Sequence, residues 1–237
     1  MRLPIIIVVT SALCFVTTVG RAEWIVYAED FDGLNGGNSY VSAEAALGAE
    51  WSFYSSKEGR SRIYDWGGSR GGVLILDDYL GNNKFSLNEA ILTVNLLGYT
   101  DVTMQFSHYD ADDEEHGIGT SPFVNHKNAD GVSVSSDGTN WYPLVSFSQS
   151  NNSWKSYWAD ISALIDVVPQ LELSDNFQIK FQQYDNYSHG SDGRKFDSIV
   201  IEGELQSPVP EPATATLFGI GLLGLAVSRR KWLRKSA

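Results

Sequence analysis

Val102-Thr-Met-Gln-Phe106 alternates apolar and polar side chains, as a strand does when one face is buried and the other is solvated. Phe177-Gln-Ile-Lys-Phe181, Gly131-Val-Ser-Val-Ser135 and Ser198-Ile-Val-Ile201 carry the same period, and Val73-Leu-Ile-Leu76 and Ala90-Ile-Leu-Thr-Val94 add two more β-branched runs. Between them stand glycine turns: Gly36-Gly37, Gly67-Gly68, Gly71-Gly72, Asp137-Gly138 and Asp192-Gly193. One short helix is expected from Ser162 to Val167, because Pro169 limits it. Many short strands without a second helical layer predict an all-β protein, a single antiparallel β-sandwich spanning residues 23–206.

Two stretches echo each other. Phe106-Ser-His-Tyr109-Asp110 leads through an acidic loop to Asp130-Gly131-Val132, and Phe181-Gln-Gln-Tyr184-Asp185 leads through a polar loop to Asp192-Gly193. Each reads as a strand, a long loop and a return strand, so the expectation is two similar hairpins. This layout, with Asp137-Gly-Thr-Asn-Trp141 and Gly193-Arg-Lys-Phe196-Asp197-Ser-Ile199, resembles jelly-roll, lectin-like modules of bacterial secreted proteins. That resemblance implies a structural calcium between the first and last strands, with Glu29, Asp30, Asp32 and Asp197 placed to hold it.

The ends of the chain read as addresses. Arg2, the apolar run from Leu3 to Val19 and Gly20-Arg21-Ala22 form a secretory signal peptide, residues 1–22, cleaved after Ala22. At the other end, residues 207–237 hold Val209-Pro210-Glu211-Pro212, an uncharged span from Ala213 to Val227, and Arg229, Arg230, Lys231, Arg234 and Lys235. An apolar span before a basic cluster predicts a transmembrane helix whose C-terminus faces the cytoplasm. As a helix the span reaches only roughly 22 Å, short of the ~30 Å hydrocarbon layer.

This tail resembles the PEP-CTERM sorting signal of exported bacterial proteins. The resemblance implies a membrane enzyme of the exosortase type acting near Pro210, Glu211 and Pro212, with transient retention in the inner membrane before the protein reaches the cell surface or extracellular matrix. Export machinery and exosortase are the implied partners.

Cys14 is the sole cysteine and lies in the signal, which excludes a disulfide framework and thiolate chemistry in the secreted part. Residues 23–206 hold ten basic and 28 acidic side chains, about −18 in net charge, which excludes nucleic acid as a partner.

Candidate sites follow from residue type. Asp110, Asp112, Asp113, Glu114 and Glu115 crowd one loop, which is either a solvated acidic loop or, through Asp110, Asp112, Asp113 and Glu115, a site for Ca²⁺, a cation that takes 6 to 8 oxygens. His108, His116, His126 and His189 are read as exposed, at loops and strand ends, without a zinc-ligand pattern. Gly67-Gly-Ser-Arg-Gly71 has the letters of a nucleophile elbow but lies between strand-like runs, so it is read as a turn.

Trp154, Tyr157 and Trp158 are the ligand-binding candidates. In a strand Trp154 and Trp158 share a face with Ser156, either a sugar-stacking platform or core. Trp24, Trp51, Trp66 and Trp141 are expected in the core or behind turns. The function expected is a non-enzymatic, exported cell-surface or matrix protein; the alternatives are a calcium-dependent carbohydrate-binding module, with extracellular polysaccharide as partner, and a sugar-active hydrolase.

Overall fold

A computed structural model describes residues 23–80, 82–110, 114–148, 152–187 and 193–206. The signal peptide, the sorting tail, Asp112, Asp113, His189 and Asp192 lie outside these residues. In chain order the elements are β1 (Glu23–Glu29), β2 (Tyr40–Ser42), α1 (Ala43–Ala46), β3 (Trp51–Ser55), β4 (Gly59–Asp65), β5 (Gly72–Asp78) and β6 (Ser86–Val94). After them come β7 (Tyr99–Asp110), β8 (Phe123–Val124), β9 (Gly131–Ser135), β10 (Asn140–Ser146), β11 (Trp154–Asp160), α2 (Ile161–Val167), β12 (Phe177–Asp185) and β13 (Arg194–Leu205).

They form an antiparallel sandwich of two sheets. One sheet runs β11-β7-β13-β5-β4-β2, with β1 also on β13; the other runs β3-β6-β12-β9-β10-β8. The expected strands and the expected helix are all present. The helix begins where Asp160 caps it, its carboxylate accepting from the Ala163 N–H at 2.8 Å.

The echoed stretches are not hairpins. β7 and β13 belong to the seven-stranded sheet and β9 and β12 to the six-stranded one, so each long loop arches from sheet to sheet. A strand exit and a return strand look alike in sequence whether the chain folds back beside itself or crosses the sandwich.

The space between the sheets is apolar at one end. Val102, Met104 and Phe106 of β7 face Phe177, Ile179 and Phe181 of β12, and Phe196, Ile199 and Ile201 of β13 complete the cluster. The other end is polar and just as buried, because the inward-facing positions there are Ser86, Asn88, Gln183, Asp185, Asp110 and Arg194. Asn88 Nδ2 donates to Gln183 Oε1 at 2.8 Å and Ser86 Oγ donates to Asp78 Oδ2 at 2.9 Å, so hydrogen bonds replace apolar packing there.

β13 lies inside the seven-stranded sheet. β7 pairs along one side of it, while the other side is shared: Arg194–Phe196 pair with β5 and Ile199–Glu204 with β1. The register breaks between Asp197 and Val200, where Ser198 has a φ of 51°. β1 hands over to β5 at that break.

Candidate functional site

The outer face of the seven-stranded sheet carries a connected row of aromatic rings. Trp154, Tyr109, Lys195, Ile75 and Arg62 lie side by side in register on β11, β7, β13, β5 and β4. Tyr40 stacks on Tyr64 at 4.8 Å, Tyr64 meets the edge of Trp66 at 6.2 Å, and Trp66 reaches Tyr109 at 5.0 Å and Trp154 at 5.4 Å. Cations interleave with the rings: Arg62 lies 4.0 Å over Tyr40, Lys195 4.8 Å over Tyr109 and Arg70 3.8 Å over Trp154.

Trp158 lies on the same face and is 60% exposed, whereas Trp154 is half-buried. Tyr157 points the other way and packs parallel to Phe106 at 5.2 Å, joining the core. Trp66 comes from the turn at residues 66–71, which the sequence marked as a turn but not as part of a face. That turn is closed by the Trp66 N–H donating to the Gly71 carbonyl at 2.8 Å, and it joins β4 directly to β5, so no nucleophile elbow forms. Trp51 and Trp141 are buried as expected, but Trp24 is 53% exposed near the start of β1.

A cavity of about 260 Å³ opens at the β13 register break, lined by Asp30, Asp32, Ser69, Arg70, Asp197 and Ser198. Its walls are fixed by short local contacts. Asp30 Oδ1 accepts from the Asp32 N–H at 3.0 Å, Asp32 Oδ1 from the Gly72 N–H at 2.9 Å, and Asp197 Oδ1 from the Ser198 N–H at 2.6 Å. A Cβ on Gly72 would stand 2.1 Å from the Phe31 carbonyl oxygen, so only glycine lets the two backbones meet. Arg70 joins the cavity to the aromatic row: the guanidinium that covers Trp154 also donates to Asp197 Oδ2 at 2.5 Å.

Burial raises the pKa of Asp197, although Ser198 and Arg70 pull the other way. Glu29, also raised by burial, accepts from the Phe31 N–H at 2.7 Å. Three of the four acids expected at a terminal-strand calcium, Asp30, Asp32 and Asp197, thus share one cavity. Among the described residues, however, no three Asp, Glu, His or Cys side chains converge as an ion requires, and Asp197 already holds Arg70.

The acidic loop divides differently from its sequence. Asp110 is the last residue of β7 rather than a loop ligand; it is fully buried and accepts from Arg194 Nη1 at 3.0 Å. Glu115 is exposed. Arg194 Nε lies 3.3 Å from Asp130 Oδ1, so the guanidinium at the end of the second arch ties together the carboxylates at the two ends of the first. Asp130 also accepts from the Tyr184 N–H and the His116 N–H, each at 2.7 Å.

The histidines are not all exposed. His108 is buried on the inward face of β7, stacked 3.9 Å from Phe147, and neither ring nitrogen has a hydrogen-bond partner among the described residues. His116 is half-buried, and His126 contacts Glu89 Oε2 at 2.8 Å. Burial first, then Arg194, Lys195 and Lys155, holds the His108 pKa well below its usual 6.5. The unfolded chain takes up this proton below about pH 6.5 and the folded chain does not. The histidine's effect is therefore to leave stability full above that pH and to lower it by up to ~1.4 kcal/mol per pH unit beneath it. Urea midpoints of wild type and His108→Phe between pH 7.5 and 5 are expected to show this slope only in their difference; a constant difference would refute it.

Residues 208–231 match the PEP-CTERM protein-sorting motif, which marks the chain as an exported protein. No helix among the described residues is long and apolar enough to cross a membrane. No curated protein matches the chain. Among solved structures it is similar to a family 11 carbohydrate-binding module of a cellulosomal cellulase from Clostridium thermocellum, at 12% identity and a TM-score of 0.40, over 81% of this chain and 99% of that one. It is also similar to a cyclase from Fischerella sp. TAU, at 10% identity and a TM-score of 0.47, over 79% and 100%. A third is the K3 adhesin domain of Lys-gingipain from Porphyromonas gingivalis, at 14% and 0.42, over 76% and 99%.

Proposed function

We propose that this chain is an exported, non-catalytic protein that binds a surface or matrix polysaccharide across the outer face of its seven-stranded sheet. The observation that carries the reading is the aromatic row from Tyr40 to Trp154, interleaved with Arg62, Arg70 and Lys195. Ring faces offer apolar contact to the C–H face of a sugar, and flanking charged groups offer hydrogen bonds to hydroxyls.

Trp154→Ala is expected to weaken polysaccharide binding roughly 30-fold, about 2 kcal/mol, as for a central aromatic contact. Tyr157→Ala, on the opposite face, is expected to lower stability and leave the affinity of the folded protein unchanged. Titration calorimetry against a glycan panel checks both, and undiminished binding by Trp154→Ala refutes the platform.

The sorting motif supports processing by an exosortase-type enzyme near Pro210-Glu211-Pro212 after transient membrane retention. The mature protein is then expected to lack Arg229 to Lys235. Mass spectrometry of the protein from exosortase-bearing cells tests this, and an intact C-terminus would refute it.

A further inference from the structure

We infer that the end of the sandwich where β1 begins and β13 ends is a docking surface for a zwitterionic lipid bilayer, contacted through Trp24, Ile25, Leu97 and Leu205. This inference rests on the transient membrane retention read above from the sorting motif and gives the domain an orientation during it.

Strand pairing brings the four residues together. β1 begins where β13 ends, with Glu23 opposite Glu204, Trp24 opposite Gly203 and Ile25 opposite Glu202. Leu205 pairs with Tyr99 at the start of β7, and Leu97 stands in the turn between β6 and β7, just ahead of Tyr99. All four are exposed, and exposed apolar side chains gathered at one end mark an interaction surface.

The sequence beyond the strand ends names the occupant. Gln206 to Pro212 is all that separates Leu205 from the apolar span that begins at Ala213. Even fully extended, at about 3.6 Å per residue, this connection keeps Leu205 within about 30 Å of that span. The N-terminal apolar run from Leu3 to Val19 is separated from Glu23 only by Gly20, Arg21 and Ala22. Both membrane-directed segments therefore join the sandwich at this one end.

Charge selects the lipid. Glu23, Asp101, Glu202 and Glu204 lie at this end, and no Lys or Arg occurs in residues 23–29, 94–104 or 199–205. An anionic bilayer would repel these carboxylates, and a second copy would bring the same acids against them. A headgroup layer without net charge accepts Trp and Leu side chains free of that repulsion, and Trp favours such an interface.

This contact leaves the aromatic row open. Tyr109 stands at the far end of β7 from Tyr99, roughly 30 Å away at ~3.3 Å per residue, so glycan and bilayer do not compete.

The test uses the exported chain with its tail, residues 23–237, which has no cysteine, in phosphatidylcholine vesicles whose acyl chains carry a nitroxide quencher. An NBD fluorophore is attached through Asn95→Cys, in the turn after β6, or through Lys84→Cys, in the turn before it. Quenching is expected to be roughly threefold greater at the first position, as for side chains seated ~5–10 Å into the headgroup boundary. Trp24→Ser and Leu97→Ser are each expected to remove most of that difference, while Val124→Ser, an exposed apolar residue of β8, keeps it. Replacing part of the lipid with phosphatidylglycerol is expected to reduce it. Equal quenching at both positions, in a chain that floats with the vesicles, overturns the docking and leaves retention standing. A difference that survives both serine variants, or that grows with phosphatidylglycerol, also overturns the docking. A chain that does not float with the vesicles overturns docking and retention together.

Discussion

Arg194→Ala is expected to lower the unfolding free energy by about 3–5 kcal/mol, the usual cost of removing one partner from a buried ion pair. Arg194 is fully buried and stands between Asp110 at the end of β7 and Asp130 just ahead of β9, so it binds an arch end from each sheet. Without the guanidinium, two buried carboxylates lose the cation they share, while Asp130 keeps the Tyr184 and His116 N–H groups. Burial already raises the pKa of Asp130 against the pull of Arg194, and losing the cation would raise it further. At ~2–4 °C per kcal/mol for a domain of this size, the melting temperature should fall by roughly 6–20 °C. Arg194→Lys should recover only part of the loss, because a single ammonium lacks the planar fork that serves two carboxylates. Urea denaturation followed by circular dichroism checks this, and a loss under about 1 kcal/mol would rule out the clamp.

That clamp was half legible in the sequence. Alternation along β7 already put position 108 and position 110 on the same face as Val102, Met104 and Phe106. Their polar identities suggested a loop instead. The period was the better guide, because a sandwich buries a strand end whatever residue it carries, provided a partner arrives from elsewhere. Arg194 is that partner, 84 residues from Asp110. The same limit hid the role of Trp66 and Arg70. Their glycines predicted the turn correctly, but its contact with Tyr109 of β7 and Trp154 of β11 is between residues far apart in the chain. The shared face of Trp154 and Trp158 was readable, since a strand alternates, and the same alternation sends Tyr157 inward.

Lys180→Met is expected to cost about 3–5 kcal/mol, while Lys180→Met combined with Glu89→Leu should recover most of it. Both residues project from the outer face of the six-stranded sheet, yet neither is accessible: Lys180 is 1% exposed and Glu89 0%. The segment that runs through β8 covers them. Lys180 Nζ donates to Glu89 Oε1 at 3.0 Å and to the Asn125 carbonyl at 2.7 Å, and it lies 3.9 Å over the ring of Trp141. Burial lowers the Lys180 pKa and Glu89 raises it back in part, so the pair resists desolvation only together. The single variant strands a buried carboxylate beside the His126 ring; the double variant replaces both charges with apolar volume. Because the ammonium also holds Asn125, the single variant should loosen the covering segment before the sheet itself. Hydrogen exchange should then rise at Asn125–Lys127 more than at Phe177–Phe181. Equal stability of single and double variants would mean that the pair contributes no coupling and that the segment is held by other contacts.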